Sequence, residues 1–297
     1  MTKARVDIGV ACSGFQTPDW WNGLLGSLLA EERSGTIEIG QTLAISSALP
    51  DHNKNNVITS GMGAGIAPDN EKRRNNLTDA NRAVVVERFM DGKAEWLFFL
   101  DDDTVHPAGA ISQLVKLQRE IAAVVYYNPK PPCNPIAYMR GDNGLYAPLE
   151  DWSYGALIQV DSVGMGCTLI HRSVFERIMD EHQVFVRPNG SLAVVHKSAV
   201  YGEWKGPTPG SGRPAEFVMD GMLHTRVRPV PPGDSRKYPF FALEYGRTED
   251  HHFCELAANV GVRPWLDTSI NCTHIKTHGF TREDYRRENP ALEIKEL

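Results

Sequence analysis

Long apolar runs are missing from this chain. None approaches the roughly 18 residues that a membrane-spanning helix needs, and the start of the sequence has no basic stretch followed by an apolar core. Both absences lead to the expectation of a soluble, cytoplasmic protein. Paired cysteine spacing is missing as well. The five cysteines, Cys12, Cys133, Cys167, Cys254 and Cys272, are odd in number and scattered, with no Cys-x-x-Cys step. Such a set predicts reduced, mostly buried thiols and argues against a disulfide framework or a zinc site. Nor is there a surplus of positive charge. With 31 Lys and Arg against 37 Asp and Glu, the net charge is −6, so no bulk electrostatic pull towards nucleic acid or anionic membrane operates. Repeats and low-complexity segments are absent too.

What remains is an ordinary globular composition, 41% hydrophobic and 23% charged over 297 residues, enough for one large α/β domain or two small ones. Val6 to Ala11 predicts a first buried strand, Pro18 opens a helix, and Gln41 to Ala48 reads as a second strand. Residues 50–76 are polar and glycine-containing, a predicted loop that carries Lys72, Arg73 and Arg74. A helix over about 79–91 leads to the apolar strand Trp96 to Leu100; a further helix starts near Pro107, and Ile121 to Tyr127 is another strand. Strands alternating with helices predict an α/β fold with a mainly parallel sheet. Residues 128–155 suggest a long loop or hairpin, with strands at Ile158 to Val163 and Cys167 to Ile170 and a short helix from Ser173. Residues 182–240 look irregular, rich in proline and glycine, and a segment of that length in a compact domain is usually functional. Thr248 caps a last helix, followed by strands near Trp265 and Asn271.

Asp101, Asp102 and Asp103 follow the apolar strand directly. In α/β sheets ligands bind at that carboxyl edge. Three adjacent carboxylates there repel one another unless a cation or strong donors lie close by. Alternation puts Asp101 and Asp103 on one side and Asp102 on the other. A hard divalent ion bridged to phosphate suits such a set; a solvated acidic turn before the helix at Pro107 is the bland alternative.

The segment Trp96 to Asp103 resembles the strand end, four apolar residues and then Asp-x-Asp, of GT-A glycosyltransferases. The resemblance implies a GT-A (Rossmann-like) single domain whose parts are a nucleotide-sugar half over about 1–127, an acceptor half over about 128–280 and a C-terminal tail at 281–297. It implies Asp103 as metal ligand, Asp101 as nucleotide contact with a share in the metal, and Asp102 as a cofactor contact that could itself share the metal. Mn²⁺ or Mg²⁺ is the implied cofactor and a nucleoside-diphosphate sugar, a UDP-sugar first, the donor. Gly164 and Gly166 resemble the family's glycine turn near the sugar or acceptor, since glycine lets backbone approach a ligand closely. Glu249-Asp250 resembles the family's Glu-Asp pair at a helix start, where a carboxylate takes the acceptor proton; Asp250 is the first choice as base and Glu249 the second. Both acids also suit a helix N-terminus in their own right. His274 resembles the family's histidine metal ligand, with His278 the alternative; an imidazole ligand tilts the metal towards manganese.

Where the family often has Ala-Arg-Asn before the Asp-x-Asp strand, this chain reads Ala80-Asn81-Arg82. Arg82, or Arg73 or Arg74 in its place, is then the basic nucleotide contact, with Cys12 and Ser13 near the base. Trp204, with Trp152, Tyr154, Tyr201 and Trp265, is a candidate stacking platform. Arg187, Lys197, Lys205, Arg213, Arg226, Arg228, Arg236 and Lys237 make the 182–240 region locally basic. The acceptor therefore stays open among a saccharide, a small molecule and a modified DNA base of the phage type. Asp101-Asp102-Asp103-Thr104 also fits the signature of haloacid-dehalogenase-like phosphatases, with Asp101 as nucleophile, but Gly233-Asp234 lacks the later Asp that those enzymes need. A non-catalytic nucleotide-sugar-binding protein is the remaining alternative.

Overall fold

The computed structural model describes residues 3–12, 18–46, 70–186, 192–196, 201–205, 216–219, 222–225, 228–229, 239–242, 248–275, 279–280, 285–287 and 295–296, some of them (18–22 and 70–80 among these) by backbone alone. The chain opens with β1 (Ala4–Cys12), α1 (Pro18–Arg33), β2 (Ile37–Ser46), α2 (Asn70–Asp91), β3 (Trp96–Asp101) and the two-residue β4 (Thr104–Val105). There follow α3 (Ala110–Lys116), β5 (Ile121–Val125), β6 (Ala137–Arg140), β7 (Tyr146–Pro148), β8 (Ser153–Tyr154), β9 (Leu157–Gln159), β10 (Ser162–Val163) and β11 (Cys167–His171). Next come α4 (Arg172–Glu181), β12 (His182–Val186), β13 (Leu192–His196), β14 (Tyr201–Lys205), β15 (Glu216–Met219), β16 (Met222–Thr225) and β17 (Arg228–Pro229). The last elements are α5 (Glu249–Asn259), β18 (Trp265–Asn271), β19 (Thr273–Ile275), β20 (Gly279–Phe280) and β21 (Lys295–Glu296).

Seven strands form the main sheet in the order β2-β1-β3-β11-β5-β18-β9. β1, β2, β3, β5 and β18 run one way, whereas β11 and β9 oppose them. The architecture is α/β, and the sheet is mixed because β11 is inserted antiparallel between β3 and β5. Period-two alternation sends side chains to both faces. On β3, Leu97 and Phe99 join the apolar layer under α2, α4 and α5, whereas Trp96, Phe98 and Leu100 join the layer under α1 and α3. Gly9 of β1 sits where any Cβ would collide with Val85 of α2, so the missing side chain lets that helix close on the sheet.

Helix ends are held from elsewhere in the chain. The buried carboxylate of Glu31, on α1, accepts from the Ile111 and Ser112 backbone N–H groups at 2.9 and 3.1 Å and from the Ser112 hydroxyl. It serves the N-terminus of α3, whose cap residue Gly109 has no side chain to do so. Arg172 donates to the carbonyls of Phe89, Met90, Gly92 and Ala94 at 2.6–3.1 Å and so closes the C-terminus of α2.

Several expectations need correction. α2 begins at Asn70, so the end of the polar 50–76 stretch is helical; residues 47–69 lie outside the described residues. The 182–240 region contains two three-stranded sheets, β13-β12-β17 and β14-β15-β16. Antiparallel strands of two to five residues need no long apolar run, which is why composition concealed them. Cys167 and Cys272 form a disulfide, against the expectation of reduced thiols. They are 105 residues apart in sequence and meet only because β11 and the β18–β19 junction share the core. Cys133 and Cys254 are buried and take part in no disulfide among the described residues. Trp152 and Tyr154 are core residues, each 6% exposed, and offer no open stacking face; Arg119 lies 4.3 Å over the Trp265 ring. Among the described residues no helix is long and apolar enough to cross a membrane.

Candidate active site

β3 delivers Asp101 to the carboxyl edge of the sheet beside Ala11 of β1. There the three aspartates part company. Oδ1 of Asp101 accepts from Nη2 of Arg82 at 2.8 Å, and Nη1 of the same guanidinium donates to Oε1 of Glu249 at 2.8 Å and to Oδ1 of Asp250. Arg82 is 2% exposed. One buried cation thus draws together acids from the end of β3 and the start of α5. Thr248 fixes that start, its side chain accepting from the His251 N–H at 3.4 Å, which sets Glu249 and Asp250 in the first turn, where the helix dipole favours acids.

Burial works against the charge on Arg82, but Asp250, Asp101 and Glu249 more than offset it and hold the guanidinium firmly protonated. Burial also raises the Asp101 carboxyl above its usual range, opposed by Arg82 and reinforced by the charge of Asp103. The Asp250 carboxyl is raised by burial too, with Arg82 pulling it back, Glu249 and Asp101 adding to the rise, and a donated Met165 N–H moderating it.

The second cluster contains Asp103 and His274. β4 pairs antiparallel with β19, placing His274 opposite Thr104, and the Ile275 N–H donates to the Asp103 carbonyl. Nε2 of His274 lies 3.2 Å from Oδ2 of Asp103. Nδ1 lies 3.0 Å from the carbonyl oxygen of Tyr127, which can only accept. Nδ1 therefore carries a proton, and Nε2 meets Asp103 as a second N–H donor if the ring is an imidazolium and as a lone pair if it is neutral. A lone pair facing a carboxylate is repulsive unless a proton or a metal cation stands between them. A carbonyl holding the far nitrogen is the outer-shell arrangement that orients metal-bound histidines. Two donors on adjacent positions of one ion, each at roughly 2.1 Å, stand about 3 Å apart, close to the spacing here. The pair fits a divalent ion, although among the described residues no three His, Cys, Asp or Glu side chains converge as a complete cage. Asp102, between Asp101 and Asp103 in the sequence, is buried.

The Gly164–Gly166 turn packs against the first cluster. A Cβ on Gly164 would strike the Tyr126 hydroxyl, and one on Gly166 would come within 3.0 Å of that hydroxyl and of Oδ2 of Asp101. The Gly166 N–H donates to Tyr126 Oη at 3.0 Å, and its carbonyl accepts from the Asp101 N–H at 3.3 Å. The groups packed closest to these glycines are therefore the protein's own Tyr126, Ile136 and Asp101. Burial, followed by the charges of Asp101 and Asp250, keeps the Tyr126 phenol well above its ordinary range. Neither Tyr126 nor the Met165 N–H is marked in the sequence; a tyrosine closing an apolar strand carries little signal of its own. Ser13 and His278 lie outside the described residues, as do the side chains of Cys12 on β1, Arg73 and Arg74 on α2, and Trp204 on β14. The same holds for the side chains of the basic residues between 182 and 240.

No protein-family model and no curated protein matches this chain. Fifty-six chains of solved structures do. One is the crystal structure of A197 from STIV, 12% identical over 92% of this chain and 86% of that one, with a TM-score of 0.42. Another is a glycosyltransferase involved in the glycosylation of the major capsid of PBCV-1, 8% identical over 58% and 62%, TM-score 0.27. A third is GalNAc-T7 with UDP, GalNAc and Mn²⁺, 9% identical over 97% and 47%, TM-score 0.40. Likenesses this distant leave the function to be argued from the site itself.

Proposed function

We propose that this chain is a metal-dependent glycosyltransferase of the GT-A type that moves a sugar from a nucleoside-diphosphate donor, a UDP-sugar first, to an acceptor hydroxyl. The observation that carries the reading is the Asp103–His274 pair, 3.2 Å apart with the far imidazole nitrogen held by a carbonyl, beside a second group of carboxylates at the same sheet edge. In this reading Asp103 and His274 would hold Mn²⁺ or Mg²⁺, with Asp101 adjoining. When bound, the ion neutralises charge on the departing diphosphate. Asp101 and Asp102 face the nucleotide, with Arg74 and Ser13 as further candidate contacts, and the acceptor lies towards Gly164, Gly166 and Trp204. The acceptor oxygen bonds to the anomeric carbon, the bond from that carbon to the diphosphate oxygen breaks, and the electron pair leaves with the diphosphate. In an inverting reaction Asp250, or Glu249 beside it, takes the hydroxyl proton; in a retaining one the two acids orient substrate. The acceptor class stays open among saccharide, small molecule and modified DNA base. The phosphatase alternative still lacks the later Asp after Gly233-Asp234.

Thermal denaturation with UDP and a panel of UDP-sugars, with and without Mn²⁺, tests the reading, since a ligand of the native state raises the midpoint. Stabilisation that needs both nucleotide and metal is the expected result, and Asp103→Ala should remove it. UDP binding of equal strength in that variant, in the presence of Mn²⁺, overturns the metal assignment. Asp250→Asn should keep UDP binding and lose turnover; a non-catalytic binding protein would release no UDP even as wild type.

A further inference from the structure

Arg82 stands in the sequence where a nucleotide contact is expected, yet both of its terminal nitrogens are spent on the protein's own acids. Nη2 holds Asp101 at 2.8 Å, and Nη1 is shared between Glu249 at 2.8 Å and Asp250. A guanidinium is rigid and planar, so the spacing between its nitrogens is fixed, and the carboxylates it holds are fixed relative to one another. Those carboxylates come from opposite sides of the proposed reaction: Asp101 from the donor side, Glu249 and Asp250 from the acceptor side. The other side of the clamp is the Gly164–Gly166 turn, where the Met165 N–H donates to Asp250 and the Gly166 carbonyl accepts from the Asp101 N–H. Phe241, whose ring centroid lies 6.0 Å from the guanidinium carbon, helps to exclude water from the clamp.

We infer that Arg82 is a positioning residue that sets the distance between the donor-side and acceptor-side carboxylates, acting on the nucleotide through Asp101 instead of touching it. The inference rests on the glycosyltransferase reading. It goes further in assigning Arg82 to alignment of the two substrates, not to affinity for one. Lysine is no substitute at this position. Its ammonium carries one compact charge on a differently shaped stem and cannot present two donors in a fixed fork. Misplacing a reacting group by about 1 Å costs on the order of a hundredfold in rate.

The test compares wild type, Arg82→Lys and Arg82→Ala at a temperature at which near-UV circular dichroism shows each variant folded; the Lys variant keeps a charge among the three acids if the Ala variant fails to fold. UDP binding in the presence of Mn²⁺ is measured by calorimetry, and UDP release from UDP-glucose, UDP-galactose and UDP-N-acetylglucosamine by a coupled assay, with water as the acceptor. Wild type should bind UDP and release it. Both variants should bind UDP within about threefold of wild type and lose about a hundredfold in kcat. Millimolar guanidinium should restore part of the lost rate in Arg82→Ala and none in Asp250→Asn. An unchanged kcat per folded molecule overturns the inference, because Arg82 is then structural only. A loss confined to UDP affinity also overturns it, because Arg82 is then a direct nucleotide contact. In both cases the active wild type leaves the parent reading standing. A wild type that neither binds nor releases UDP removes the UDP-sugar reading and the inference that rests on it together.

Discussion

His106 packs edge-on against Phe98, with ring centroids 5.4 Å apart, and its Nε2 lies 3.1 Å from the Ser27 hydroxyl, in a setting only 3% exposed. Burial lowers its pKa to about 4 from an ordinary value of 6.5. The unfolded chain takes up a proton there that the folded chain resists. Stability is thus full above about pH 6.5 and is lost as pH falls through 4, by on the order of 3 kcal/mol for this one group. His106→Gln should flatten the urea-unfolding free energy between pH 6.5 and 4 relative to wild type; parallel curves for the two proteins would refute the assignment. Arg172 makes a prediction of the opposite kind, independent of pH in this range. Its bonds to four carbonyls at the end of α2, together with its guanidinium 4.4 Å over the Phe89 ring, should make Arg172→Ala cost about 3 kcal/mol in denaturant unfolding. A change below about 0.5 kcal/mol, the scale of an ordinary surface substitution, would show that water replaces those donors without loss.

At the level of elements, the features legible in the sequence are those whose signal is local. The apolar run Trp96 to Leu100 and the acids after it mark a buried strand and its edge, and Thr248 followed by Glu249-Asp250 marks a helix start. Features that depend on pairing at long range are not legible in the same way. His274 reaches Asp103 through the two-residue strand β4, and Arg82 meets its three carboxylates across separations of 19, 167 and 168 residues. No periodicity encodes such meetings; the resemblance to a family suggested His274, and nothing suggested the role of Arg82 as a hub. Gly9 is a similar case, a glycine in a strand whose reason is Val85, 76 positions later in the numbering. Gly9→Ala should cost about 1–3 kcal/mol through overpacking of α2 on the sheet. Val85→Ala in that background should recover part of the loss, and thermal melts of the two single variants and the double variant give the coupling; strictly additive losses would mean that the two side chains do not compete for one space.

For the whole molecule, the Cys167–Cys272 disulfide joins β11 to the β18–β19 junction. Thiol titration in denaturant should therefore find two more reactive cysteines after reduction than before. An equal count would mean that both sulfurs are thiols in the native protein and would restore the reading of an entirely reduced chain. Tyr285 belongs to the core, 1% exposed and stacked on Tyr127 at 5.6 Å, and β21 pairs with β8, so of the described residues beyond 280 these pack with far earlier parts of the chain.

The antiparallel strand β11, seated between β3 and β5, also bears on how this protein emerges from the ribosome. The first 127 residues contain β1, β2, β3 and β5, yet β3 and β5 are not neighbours, and the gap between them is filled by residues 167–171. Until those residues are synthesised, two nearly fully apolar strands have unpaired edges, the condition under which sheets recruit foreign strands. Nascent chains stalled between residues 127 and 167 should be those most dependent on chaperones, and release of residue 171 is the point at which the gap between β3 and β5 can first close, the far edge of β5 waiting for β18.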